Sequence, residues 1–221
     1  DPDNPDPSYQ GIKVSQPADQ VYNGNYQQPE IVVTDSEGNT LDASIDGGAT
    51  GDYVITYGNN VNATSEGNLA TAIVKGINNY SGEVVQTFQI APAKATVLVN
   101  DSAKVYGEDD PEGYNGYSVV LEGTDQPLYT NVETKVQDTL GDITVVRPGM
   151  GTDENAVVYE DALDVSVANQ NANYTYTVDK GNFTISAAGG NVVTLASQAE
   201  GNTKTYDGQS ISIDASASKP G

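Results

Sequence analysis

Asn78-Asn79-Tyr80, followed by Phe88-Gln89-Ile90, returns later in the chain as Asn173-Tyr174 followed by Phe183-Thr184-Ile185. The chain has only two phenylalanines, and they stand 95 residues apart at equivalent places. A tyrosine-glycine turn signature precedes each pair: Val21-Tyr22-Asn23-Gly24 before the first, Val105-Tyr106-Gly107-Glu108 before the second. A third turn, Thr205-Tyr206-Asp207-Gly208, has no such terminal strand after it. Self-similarity at a period of roughly 90 residues points to an array of modules and away from one compact enzyme. The expected units are residues 8–91 and 92–187, with 1–7 an acidic, Pro-rich linker and 188–221 the truncated start of a third module.

Working outward from these signatures, the segments between them alternate. Tyr53, Ile55 and Tyr57 share one parity before the turn cluster Gly58-Asn59-Asn60; Ala70, Ala72 and Val74 share one before Gly76; Val84, Phe88 and Ile90 share another; Tyr174, Tyr176 and Val178 alternate with threonines up to Asp179-Lys180-Gly181-Asn182. Period-2 runs closed by Gly, Asn or Asp predict half-buried strands and turns. No segment sustains a helical apolar face; Thr130 to Leu140 comes nearest. The hydrophobic share of 37% is low, as expected where only every second residue must be apolar. The fold expected is mainly β: small modules, β-grasp-like or Ig-like sandwiches, set end to end as an elongated rod. Ala91-Pro92-Ala93 forms a short, stiff joint and Ala188-Gly189-Gly190 a looser one. Between its Tyr-Gly turn and its Asn-Tyr strand the second module is longer than the first (68 residues against 58). The extra length is expected between Gly123 and Asp161, around the turn-rich Arg147-Pro148-Gly149-Met150-Gly151, where an inserted loop would give a generic scaffold its own binding face.

Composition narrows the function. Thirty-one acids against nine bases give a net charge of −22, and no module is basic. Nucleic acid and anionic lipid are therefore poor partners, and mutual repulsion favours a soluble monomer. No apolar run reaches the length of a membrane span. With no histidine and no cysteine, the usual triads, thiol nucleophiles and His-based zinc sites are excluded. Paired carboxylates could in principle cleave glycosides, but no cleft is implied, so the chain reads as non-enzymatic.

In their order and repetition, the Tyr106-Gly107, Tyr206-Asp207-Gly208 and Asn79-Tyr80-Ser81-Gly82…Phe88-Gln89-Ile90 elements resemble the MBG and YDG-type repeats of large bacterial surface adhesins. That group includes mucus-binding proteins of Gram-positive gut bacteria, and the likeness covers residues 8–214. It implies small β modules in an extracellular, wall-attached stalk that contacts host mucin or extracellular-matrix glycoprotein. It implies no catalytic residues. The alternative is a pure spacer with no ligand of its own.

Three groups of residues are candidates for a site. Fourteen tyrosines beside two phenylalanines and no tryptophan suit carbohydrate contacts, with rings on sugar faces and amides on hydroxyls. Tyr114, Tyr117 and Tyr129, in the acidic second module, are the binding residues expected; buried strand tyrosines are the plainer alternative. Glu108, Asp109, Asp110 and Glu112 crowd four carboxylates into one turn and could hold Ca²⁺, although the spacing is not that of an EF-hand and a solvated acidic turn explains it as well. No other cofactor is expected. The turn tyrosines Tyr22, Tyr106 and Tyr206 are expected to pack over their own turns. Lys13 with Asn79 or Asn182 is a conceivable isopeptide pair.

Overall fold

The computed structural model describes residues 10–131 and 134–189. The linker expected at 1–7 and most of the third module expected at 188–221, with Tyr206, lie outside the described residues. The described residues contain eighteen strands and no helix. In chain order they begin with β1 Gln10–Gly11, β2 Lys13–Val14, β3 Gln20–Val21, β4 Val33–Thr34, β5 Tyr53–Gly58, β6 Ala70–Gly76, β7 Tyr80–Ser81, β8 Glu83–Phe88 and β9 Ile90–Ala91. They continue with β10 Ala93–Val99, β11 Ser102–Val105, β12 Tyr117–Leu121, β13 Tyr129–Asn131, β14 Val136–Gln137, β15 Asp142–Val146, β16 Val158–Ala168, β17 Tyr174–Asp179 and β18 Gly181–Ser186.

Every strand pairing joins two members of β1–β9 or two members of β10–β18. Most of the pairings correspond between the two sets; the β13–β14 pair has no counterpart in the first. In the first, β1 and β2 are one strand interrupted at Ile12; it runs antiparallel to β4 and parallel to β7. In the second, the unbroken β10 runs antiparallel to β12 and parallel to β17. The first set also holds the pair β3-β9 and the three-stranded sheet β5-β6-β8, with β8 and β9 separated only by Gln89. Their counterpart in the second set has the order β11, β18, β16, β15.

The match extends to single hydrogen bonds. Gln20 faces Ile90 and Val21 faces Ala91; Lys104 faces Ile185 and Val105 faces Ser186. The Tyr22 N–H then donates to the Ala91 carbonyl at 2.9 Å, and the Tyr106 N–H to the Ser186 carbonyl at 2.8 Å. The Asn-Tyr turns also coincide: Tyr80 donates back to Ile77, and Tyr174 to Asn171.

Alternation decides what is buried. Ala70, Ala72 and Val74 on β6, Ala93, Ala95, Val97 and Val99 on β10, and Phe183 and Ile185 on β18 point inward, while their neighbours face out or are half covered. In the second set the two sheets meet where β16 lies against β10 and β17. Phe88 and Phe183 are both almost wholly buried. Tyr57 meets Phe88 edge-on at 6.4 Å, and Tyr114 meets Phe183 edge-on at 5.8 Å, the geometry that the ring quadrupoles favour.

The stretch from Tyr129 to Gln137 holds the short β13–β14 pair, in keeping with the lack of a helical face there, and one sequence expectation changes. The extra length of the second set is shared between two places. Ala70 and Tyr159 are equivalent, since they face Phe88 and Phe183 respectively. Tyr22 to Ala70 is 48 residues and Tyr106 to Tyr159 is 53, so half of the ten-residue excess lies beyond Tyr159. It is taken up by the long β16 and by a bulge between Tyr159 and Leu163, where Asp161 has φ of 51°. Bulges insert residues into one strand and re-aim the side chains there.

Truncating either phenylalanine leaves a cavity that the sheets cannot close. Phe88→Ala and Phe183→Ala are each expected to cost about 3–5 kcal/mol, read as the shift in a urea unfolding midpoint. A cost below 1 kcal/mol for either would place that ring outside a packed interior.

Candidate functional site

Two polar clusters are built into the fold, one inside the second set of strands and one between the two sets. The first begins at the acidic turn. Of its four carboxylates, Glu108, Asp109 and Glu112 are exposed, and the Asp110 side chain retains only 6% of its surface. Asp110 accepts from Arg147 Nε at 2.7 Å and Nη2 at 2.9 Å, from Lys104 Nζ at 2.8 Å and from the Tyr114 hydroxyl at 3.0 Å. Glu154 completes the cluster, accepting from Arg147 Nη2, from Lys104 and from the Gly151 N–H. The Arg147 guanidinium also donates to the Asp153 carbonyl and lies 4.5 Å from the centre of the Phe183 ring. Two cations thus balance two anions, with no buried side-chain polar atom left unpaired among the described residues.

The titration of the cluster follows from this geometry. Burial pushes Asp110 up, but the hydrogen bonds from Arg147, Lys104 and Tyr114 outweigh it and hold its carboxyl down at about 2. Lys104, the Gly151 N–H and Arg147 hold Glu154 down at about 2 as well. The hydrogen bonds that Lys104 donates to Asp110 and Glu154 raise its pKa, and the same two acids raise Arg147 against the effect of burial.

The second cluster joins the two sets. The Tyr22 ring, 6% exposed, stands edge-on to Tyr174 with centroids 5.4 Å apart. Both hydroxyls donate to Asp138 Oδ2, Tyr22 at 3.3 Å and Tyr174 at 3.0 Å, while Thr139 N–H and Asn171 Nδ2 hold Asp138 Oδ1. Burial and the Asp138 charge push both phenols up, so they stay neutral donors at ordinary pH. Asn173 reaches the other way: its Oδ1 accepts from the Ala63 N–H at 2.8 Å and its Nδ2 donates to Asn62 Oδ1 at 3.1 Å. Gly24, at φ 77°, presses so close that a Cβ there would lie 2.3 Å from the Thr130 carbonyl oxygen.

The three expected tyrosines fall among different neighbours. Tyr114 is half-buried against Phe183 and Asp110. Tyr117 is 40% exposed and pairs with Val99. Tyr129 is half-buried in the β13–β14 hairpin, with its carbonyl 3.4 Å from the Tyr174 hydroxyl. The acidic turn is divided as well, because Asp110 faces Arg147 and Lys104; among the described residues no group of three or more acids is placed to hold a metal ion. Tyr22 does not pack merely over its own turn, and Tyr106 is 52% exposed. Lys13 donates to the Ser36 carbonyl and Asn182 bonds Asp101, so neither engages the other.

A groove about 600 Å³ in volume lies beside Arg147, lined by Pro148, Asp153, Tyr159, Glu160 and Asp161 from the segment that the sequence marks for an added face, and by Lys180, which the sequence does not mark. The bulge that forms one wall has no signature in the alternation. Comparison with protein families, with curated proteins and with solved structures found no match to the chain.

The depressed carboxyls make the ion cluster acid-labile. Unfolded Asp and Glu titrate near about 4, so the stability that Asp110 and Glu154 contribute is complete above that pH. It is lost as pH falls through about 2, where they protonate in the folded state. Urea unfolding between pH 5 and pH 2 is expected to show this slope, and a D110N/E154Q double variant to flatten it. Equal slopes in both proteins would assign the acid response elsewhere.

The junction has its own test. Gly24→Ala combines an unfavourable φ with overlap on the Thr130 backbone and is expected to expose the Tyr22 and Tyr174 rings. Faster amide hydrogen exchange at Ala63 and Tyr174, with β6 and β18 unchanged, reads that opening. Unaltered exchange at Ala63 would mean that the contact tolerates the change.

Proposed function

We propose that this chain is a non-enzymatic repeat region of a bacterial cell-surface adhesin, in which β modules follow one another in line as a rod. What supports this most is the bond-for-bond correspondence between the two strand sets, from the Val21–Ala91 and Val105–Ser186 registers to the tyrosine N–H that follows each. Each module, at residues 8–91 and 92–187, is an Ig-like sandwich in this reading, which draws on the corresponding strand pairings of the two sets and on there being no helix among the described residues to cover a β-grasp sheet. The wall-attached, extracellular location comes from the resemblance to MBG and YDG-type repeats of Gram-positive bacteria. The acidic charge fits it, since a densely presented stalk gains solubility from like-charge repulsion.

In this reading the ligand is host mucin or extracellular-matrix glycoprotein, and the second module carries the contact. Its groove offers the Tyr159 ring, the carboxylates of Asp153, Glu160 and Asp161, and the Lys180 ammonium, a set that suits hydroxyl-rich chains. Tyr117 is the most accessible of the three tyrosines expected from sequence. The reading requires no cofactor; a role for Ca²⁺ would fall to Glu108, Asp109 and Glu112, because Asp110 is engaged by basic groups. The spacer alternative draws support from the turning of Tyr114 inward onto Phe183.

Binding of the 221-residue chain to immobilised mucin, measured against deglycosylated mucin, decides between the two. The adhesin reading expects saturable, glycan-dependent binding that weakens several-fold in Lys180→Ala or Tyr117→Ala. Binding that is absent, or equal on both surfaces, would leave a spacer.

A further inference from the structure

Tyr22 and Tyr106 occupy the same place in their strand sets. Each follows the strand paired to the Phe-x-Ile segment, and each N–H donates to the carbonyl of the residue after that isoleucine. Their rings differ: Tyr22 is 6% exposed and Tyr106 is 52% exposed. The difference lies in what comes next. Tyr22 is covered by residues of the second set, Tyr174 and Asp138 above all. Around Tyr106 two valines are exposed, Val157 49% and Val105 36%, with the Glu108 carboxylate beside them accepting from the Val105 N–H at 3.3 Å. Val157 and Val105 flank the Ile185–Ser186 strand end: the Val157 carbonyl accepts from the Ile185 N–H at 3.0 Å, and Val105 faces Ser186. Gly107 has nothing within 4 Å of the position its Cβ would take, in contrast to Gly24, which is packed under Thr130.

We propose that the Tyr106 face is the seat of a complete further unit of the same pattern, attached through the joint at 188–190, in the contact that Tyr22 makes with the unit after it. The inference rests on the reading of the chain as consecutive like modules. The occupant is chosen because the sequence beyond Ser186 starts a third copy of the pattern, with Val192-Val193-Thr194-Leu195 and then Thr205-Tyr206-Asp207-Gly208. It is chosen also because the internal junction shows which surface such a unit presents: the start of its Asn-Tyr strand and the acid beside it. A covalently attached neighbour meets the Tyr106 face at a high effective concentration. A free second copy must overcome the repulsion between chains of net charge −22.

The test compares the present chain with one that keeps residues 1–190 and continues with a duplicate of residues 93–187, so that a complete following unit is attached through the natural joint. Tyrosine nitration by tetranitromethane, mapped by mass spectrometry, reads the cover on each ring. In the present chain Tyr106 is expected to react readily and Tyr22 slowly. In the extended chain the rate at Tyr106 falls toward that of Tyr22, and Tyr174→Ala in the duplicate restores it. A Tyr106 that reacts as fast in both chains, with Tyr22 still protected, overturns the inference and leaves the modular reading standing. A Tyr22 as reactive as Tyr106 in the present chain removes the junction and with it the modular reading. Protection of Tyr106 that depends on protein concentration makes a second copy the occupant and overturns the inference as well.

Discussion

The structure depends on a parallel pairing made late in each strand set. The Phe-x-Ile strand lies alongside the strand that leads into the Tyr-Gly turn, and the Asn-Tyr strand lies alongside the opening strand. Parallel neighbours cannot be joined by a tight hairpin, so each of these pairings brings together segments more than 65 residues apart in sequence. Their closure fixes much else. It places the phenylalanine between the sheets, where alternation aims it inward. It also leaves the tyrosine just past the paired region, with its backbone anchored and its ring directed beyond the sheet end. A one-residue slip would turn Phe88 or Phe183 to solvent, so burial of that ring and the register of the closure sustain each other.

The two sets share this frame and treat its interior differently. Beside Phe88 the polar end of Tyr57 donates to the Pro29 carbonyl. Beside Phe183 lie Tyr114 and the Arg147 guanidinium, which is tied to Asp110, Lys104 and Glu154. Buried ion pairs add little net stability over an apolar filling, but removing one partner costs about 3–5 kcal/mol, because the other charge is stranded. The cluster therefore acts as a constraint: it holds the acidic turn and the Pro148–Glu154 loop in one arrangement, next to the groove that the bulge helps to form.

The frame was legible in the sequence because it is written in period-2 alternation and in two rare residues. Ala72, Phe88 and Tyr174 stand on alternating runs that the sequence displays, and all three are buried. What escaped was anything set by a partner remote in sequence. Arg147 reads as the first residue of a turn, and only the fold brings it to Asp110, 37 residues earlier. Asp110 looks like one of four equal acids until that partner arrives. The bulge escaped because an inserted residue leaves composition unchanged while altering parity. Tyr22 was misplaced for a related reason: what covers its ring, Tyr174, lies more than 150 residues away, in the other strand set.

The joint between the sets shows how a short connection can be stiff without a large interface. The Ala91 carbonyl is occupied by the Tyr22 N–H, and the Ala93 N–H donates to the Asn173 carbonyl at 2.9 Å. Between them stands Pro92, whose ring fixes φ and which has no N–H to satisfy. The residues on either side of the proline are thus held in pairings of opposite sets, which leaves the backbone little freedom at the connection. On one side Tyr22 and Tyr174 share Asp138; on the other Asn173 spans to Asn62 and Ala63. Asn173 and Tyr174 are adjacent in sequence, so a single dipeptide serves the closure of its own strand set and the grip on the neighbouring one. A substitution there loosens both at once.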